Sequence, residues 1–334
     1  MNALQMCFHP IYAPEGQITV EGLLELSHSN KDIMIIADKN IISPICEIAS
    51  KGFLSDKLRM QKIAMFVTWS KYLRSRVTSG IGLLENDTAG LSSVTGDESR
   101  LQFLHGIERI PPQIWKNIAF GIIDEVPSYY LYKPYTHDKK EYVLHDDYLF
   151  LSTEAAIIHL VKLARCSTQN SIDTFISFMN WYADHLEIAE SIIVYAALVF
   201  SRSPNIALPK NINSNNYERV VKGIRNQAWD ITYIAIWSMH YYNEPSQQCT
   251  FFATDDNTQK RIIVNTIPQG QYGSTLRTIF HTKTEEKKLN SLFKAKFGRA
   301  RKKPYQDFSE VEKITAIKKL IASEYDELKA MLKK

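Results

Sequence analysis

Asp32-Ile-Met-Ile-Ile-Ala37, running into Asp38-Lys-Asn40, is the stretch on which the fold turns. It is short, apolar and rich in β-branched residues, and it stops abruptly on a carboxylate. It therefore reads as a buried strand that delivers Asp38 to its C-terminal edge. Thr250-Phe-Phe-Ala-Thr254 repeats the pattern and ends on Asp255-Asp256-Asn257. In open parallel α/β sheets, ligands bind in the crevice beyond the carboxyl ends of the strands. Two acids at two such ends are expected to face one site, as ligands for a divalent cation.

Outward from these strands the pattern is mostly helical. Ser55 can cap an amphipathic helix running to about Ser75, with Leu58, Phe66, Trp69 and Leu73 on one stripe. Pro111-Pro112 opens another helix, which Pro127 closes. Residues 152–165, 171–184 and 187–201 read as three successive helices, a helical subdomain. Asn211 to Asn216 is a polar connector, and Tyr217 to Tyr242 reads as one long helix with a weak point at Gly223. Arg261 to Ile267 reads as a further strand, stopped by Pro268. Ser309-x-x-Glu312 forms a capping box before a helix with Ile314, Ile317, Ile321 and Leu328 on one face.

Composition excludes several classes. With 334 residues, 45% apolar, the chain can bury the core of one large domain or two. Its longest apolar stretch, Ser191 to Phe200, is far short of the roughly 20 residues that span a bilayer. The N-terminus has no charged region followed by an apolar block, so a cytoplasmic protein without membrane partners is expected. Cys7, Cys46, Cys166 and Cys249 are scattered with no C-x-x-C pair, and the nine histidines show no H-E-x-x-H spacing. Neither a disulfide framework nor a structural zinc site is expected. Gly80-Ile-Gly82 and Gly270-Gln-Tyr-Gly273 lack the context of a dinucleotide or Walker loop. Tyr129-Tyr-Leu-Tyr132 and Tyr241-Tyr242 could stack on bases or simply pack.

Charge is uneven. Residues 283–334 carry 15 Lys and Arg against 8 Asp and Glu, whereas the whole chain is only +4. Lys294, Lys296, Arg299, Arg301, Lys302 and Lys303 fall within ten residues, a composition suited either to phosphate contact or to a solvated basic linker.

Four acidic stations occur in order: Asp38-x-Asn40 after the first strand, Gly82-Leu-Leu-Glu85 ending a helical region, Trp229-Asp230-Ile231 in a later helix, and Thr254-Asp255-Asp256 after a late strand. In this the chain resembles the PIN-domain nucleases over roughly residues 30–90 and 217–270. The resemblance implies an α/β fold with a three-layer α/β/α core around a central parallel sheet, a large helical insertion and a helical C-terminal extension. Residues 1–90 and 215–270 would form the core, 91–214 the insertion and 271–334 the basic extension. It also implies Mg²⁺ or Mn²⁺ held by Asp38, Glu85, Asp230 and Asp255, with Asp87 and Glu154 as rivals of Glu85. Asn40 and Thr254 would orient the carboxylates, and Asp256 would assist or cap the next segment. The implied activity is phosphodiester hydrolysis, on RNA ahead of DNA, in a toxin, an anti-phage effector or an RNA-processing enzyme, with room for a regulatory protein partner. Each acid also has a plainer reading as a turn or cap residue. The alternative function is a non-catalytic nucleic-acid- or protein-binding module in which these acids cap and solubilise.

Overall fold

The computed structural model of the chain describes residues 6–13, 15–16, 18, 20–79, 82, 93–134, 147–166, 171–204, 206–266, 272–296 and 304–333. It is a mostly helical α/β protein and divides into two compact units, Met1–Leu144 with Ile236–Asp256, and His145–Ala235 with Asn257–Lys334. These bounds cut the expected segments 91–214 and 215–270 internally.

The first unit holds the sheet. Among the described residues its strands are β1 (Cys7–Phe8), β2 (Asp32–Ala37), β3 (Arg76–Thr78) and β4 (Gln248–Ala253), in the order β1-β4-β2-β3. β2 is parallel to both neighbours, pairing Ile35 with Phe251 and Val77, while β1 runs antiparallel to β4. Both central strands are near-continuous apolar runs because a parallel strand is covered on both faces; Ile35, Cys249, Phe251 and Ala253 are all buried. The covering helices are α1 (Val20–His28), α2 (Lys39–Lys51), α3 (Lys57–Tyr72), α4 (Ser93–Glu108) and α5 (Pro112–Ala119), with α2 packed on α4 and α3 on α5. From β2 the chain passes to β3 on one flank and later to β4 on the other, so the strand order reverses between β2 and β4.

Local chemistry sets the helix ends. α2 stops at Gly52, whose φ of 90° suits glycine and whose carbonyl accepts from Val126 N at 2.8 Å. The cap of α3 is Asp56 rather than Ser55, its carboxylate accepting from Arg59 N at 3.0 Å. Phe66, Trp69 and Leu73 are buried on α3, but Leu58 in its first turn is exposed. α5 ends at Ala119 and does not reach Pro127, because the chain turns off through Gly121 at φ 68°.

The second unit is helical: α6 (Tyr148–Cys166), α7 (Ser171–His185), α8 (Glu190–Phe200), the part of α9 (Tyr217–Tyr242) up to Ala235, α10 (Asn257–Thr266), α11 (Tyr272–Ile279), α12 (Lys283–Lys296) and α13 (Glu310–Leu332). Every residue of α8 from Ser191 to Phe200 is buried, as expected of a helix apolar on all sides. The expected strand at Arg261 is instead part of α10. Thr258, Gln259, Ile262, Ile263 and Thr266 are its buried positions, a helical spacing that overrides the β preference of Ile262-Ile263-Val264. α13 opens on the Ser309/Glu312 capping box and docks on α6 through Ile317 and Leu328 and a charged clasp. In that clasp Lys162 Nζ donates to Glu324 at 2.9 Å, His159 lies 3.1 Å from Glu324, and Tyr325 donates to Glu154 at 2.7 Å. Among the described residues no helix is long and apolar enough to cross a membrane.

Candidate functional site

The reversal of strand order between β2 and β4 puts their carboxyl ends side by side, where open α/β sheets form ligand crevices. Asp38 N donates to Ala253 O at 2.9 Å, which joins the two ends. Asp38 then occupies the N-cap position of α2, its carbonyl accepting from Ile41 and Ile42 N. Its carboxylate makes no capping bond to the helix. Instead Oδ2 accepts from Asn40 Nδ2 at 2.5 Å and from the Thr254 hydroxyl at 2.9 Å.

Those two side chains knit the rest. Thr254 Oγ1 also accepts from Asn40 Nδ2 at 3.2 Å and from Asp256 N at 3.0 Å, so the hydroxyl's one donor and two acceptor positions are all used. Asn40 Oδ1 accepts from Asp255 N at 2.9 Å and fixes the backbone that carries the second acid. Asp38 is 2% exposed and Thr254 0%, whereas Asp255 and Asp256 are half-buried. A buried carboxylate needs partners of this kind to offset its lost hydration. Arg59, exposed in the first turn of α3, donates to Asn40 O at 3.3 Å and adds a cation at the rim.

The donors suit a hard dication. Asp38, Asp255 and Asp256 offer oxygen alone, and one carboxylate is already aimed by an amide and a hydroxyl, as liganding carboxylates are in metal sites.

No family model, curated protein or solved structure matches the chain.

The other expected stations lie elsewhere. Asp230 sits half-buried on α9 in the second unit, where its Oδ1 accepts from Gln259 Nε2 at 3.1 Å. Glu85 and Asp87 are outside the described residues. Glu154, buried on α6, is bound by Tyr325 and lies 3.6 Å from Arg225; burial raises its pKa against the pull of those two partners. Of the basic run, Lys294 is exposed at the end of α12 and Lys296 donates to both Asp184 oxygens at 2.7 Å. Arg299, Arg301, Lys302 and Lys303 are outside the described residues.

Arg59 was not anticipated from the sequence; its place beside Asn40 follows from the packing of α3, and no spacing signals it. Nor was a second cluster, His9 with Glu244 and Cys249, whose members come from opposite ends of the chain and form no local motif.

Proposed function

We propose that the chain is a metal-dependent nuclease with a PIN-like α/β/α core in its first unit, hydrolysing phosphodiester bonds in RNA. The observation that carries this reading is the hydrogen-bonded set Asp38, Asn40, Thr254 and Asp255 at the reversal of strand order, with the buried carboxylate turned away from the helix it would otherwise cap. Asp38 and Asp255 would hold Mg²⁺ or Mn²⁺. Such an ion, when bound, supplies Lewis-acid polarisation of a phosphate oxygen and a water made nucleophilic near neutral pH. Asn40 and Thr254 keep the Asp38 carboxylate in one orientation, and Asn40 fixes the backbone of Asp255 relative to it. Arg59 adds a guanidinium able to hold a neighbouring phosphate.

The saturation of the Thr254 hydroxyl also supports a second reading, in which the network is a staple joining β2 to β4 in a non-catalytic binding module. The test is cleavage of labelled RNA and DNA by the purified chain with Mn²⁺, with EDTA, and by Asp38→Asn and Asp255→Asn variants. We expect RNA cleavage that EDTA abolishes and that each variant loses while keeping its fold. Wild-type rates in folded Asp38→Asn would overturn the assignment, and a variant that only unfolds more easily, from a parent with no activity, would favour the staple.

A further inference from the structure

His9, Glu244 and Cys249 meet in the first unit although each comes from a different element. His9 follows β1, Glu244 follows α9, and Cys249 lies on β4. One ligand atom from each lies within 4.8 Å of the others. His9 is 1% exposed, enclosed by Tyr12, Tyr241 and Phe251. Its Nδ1 accepts from the backbone N–H groups of Ile11 and Tyr12 at 3.2 and 3.3 Å, which fixes the ring. Nε2 is left buried without a hydrogen-bond partner, 3.8 Å from Glu244 Oε1.

An unsatisfied buried polar atom is costly, and 3.8 Å is too long for a hydrogen bond. It is close to the ~3.5 Å that separates two ligands across a tetrahedral ion with bonds of about 2.0–2.3 Å. The other Glu244 oxygen, Oε2, accepts from Thr250 N at 2.8 Å, so Oε1 is held in place for the cluster.

We propose that His9 Nε2, Glu244 Oε1 and Cys249 Sγ bind one zinc-type divalent ion, with water in the fourth position. The mix of imidazole, thiolate and carboxylate is a borderline-soft set, which selects zinc-like ions over Mg²⁺. The Asp38 cluster is independent of this site. Without an ion, burial first and Lys31 second hold His9 down at about 4, and burial pushes the Cys249 thiol up to about 12, so both are neutral. Because Nδ1 is the hydrogen-bond acceptor, the neutral ring carries its proton on Nε2. An entering ion displaces that proton and the thiol proton to solvent, and the Lys31 ammonium, which interacts with both Glu244 and Cys249, offsets the negative charge left on the ligands. The bound ion would tie β1 and the turn after α9 to β4 at the edge of the sheet that carries the Asp38 cluster.

The test is Co²⁺ and Zn²⁺ titration of the full chain in a Cys166→Ser background, which removes the exposed thiol. We expect one ion per chain, a thiolate-to-cobalt charge-transfer band with the visible bands of tetrahedral cobalt, displacement of cobalt by zinc, and a Tm that rises with zinc. Cys249→Ser should abolish the band, and Glu244→Gln, at a partly exposed position, should weaken binding at least tenfold while the protein stays folded. Asp38→Asn should leave the band intact. Absence of the band in the parent, its persistence in Cys249→Ser, or unchanged affinity in Glu244→Gln overturns the proposal.

Discussion

Asp38 stands where an aspartate usually caps a helix, yet its carboxylate goes to Asn40 and Thr254 across the sheet. The strand-end acids were legible in sequence because apolar runs that stop on Asp are a local signal. The bond from Asp255 N to Asn40 was not, since it joins residues far apart in the chain and no periodicity encodes it. Thr254→Val tests the network while preserving side-chain shape. It removes a hydroxyl serving Asp38, Asn40 and Asp256 at once, and stranded polar groups cost about 1–3 kcal/mol. The expected outcome is that loss in urea unfolding together with a fall in cleavage of about 10–100-fold, the usual penalty for losing the support of a metal-liganding carboxylate. An unchanged unfolding midpoint would show that the hydroxyl contributes nothing to the lock. For Arg59→Ala we expect KM to rise with kcat little changed, because a rim cation attracts substrate in ground and transition states alike. A fall in kcat alone would place Arg59 elsewhere in the reaction.

At the scale of elements, β2, β4, α9 and α13 were readable because their signals are local: alternation of apolar and turn residues, one sustained helical period, and a complete capping box. α10 was misread because three successive β-branched residues look like a strand until the spacing of the whole buried set is known. Gly223 was read as a weak point, but it is a site of close approach: a Cβ there would lie 1.8 Å from the backbone oxygen of Lys210. Alanine ordinarily gains about 1 kcal/mol over glycine inside a helix. Here the backbone must move to admit it, and overpacking costs of about 1–3 kcal/mol outweigh the gain. Gly223→Ala should therefore lower the urea midpoint, and a rise would show that the connector yields freely. The α13 clasp gives a pH test. Although burial works to raise the pKa of Glu324, bonds from His159 and Lys162 hold it below the ordinary glutamate value. Its stabilisation is then complete above that ordinary value and is lost as pH falls through the lowered folded value. Glu324→Gln, which strands the buried Lys162 ammonium, should cost about 3 kcal/mol near neutrality. The difference from wild type should shrink in acid, and a constant difference down to pH 3, where wild-type Glu324 approaches protonation, would refute the linkage (about 4.3 being the unperturbed value).

Across the whole molecule, the sequence signalled a core formed from two distant segments but not where the units divide, because long-range packing decides whether residues 91–144 join the sheet or the helices. Charge is the property of the whole chain that sequence reports most directly, and the surplus lies in residues 283–334. If that surplus meets RNA phosphates, each lost contact releases fewer counterions, and the slope of log affinity against log salt should flatten by about 0.7 per contact on a single strand. Lys296 is the exception within the basic run, since Asp184 already holds its ammonium at 2.7 Å. Replacing Lys294, Arg299, Arg301, Lys302 and Lys303 with Gln should weaken RNA binding across sequences and flatten the slope, while turnover at saturating substrate changes little. Lys296→Gln alone should leave the slope nearly unchanged and cost at most about 1 kcal/mol, as a partly exposed ion pair does. Binding of both variants at two salt concentrations decides it: an unaltered slope in the five-fold variant would make the basic run a solvated linker, and a flattened slope in Lys296→Gln would mean that Asp184 releases its lysine when RNA arrives.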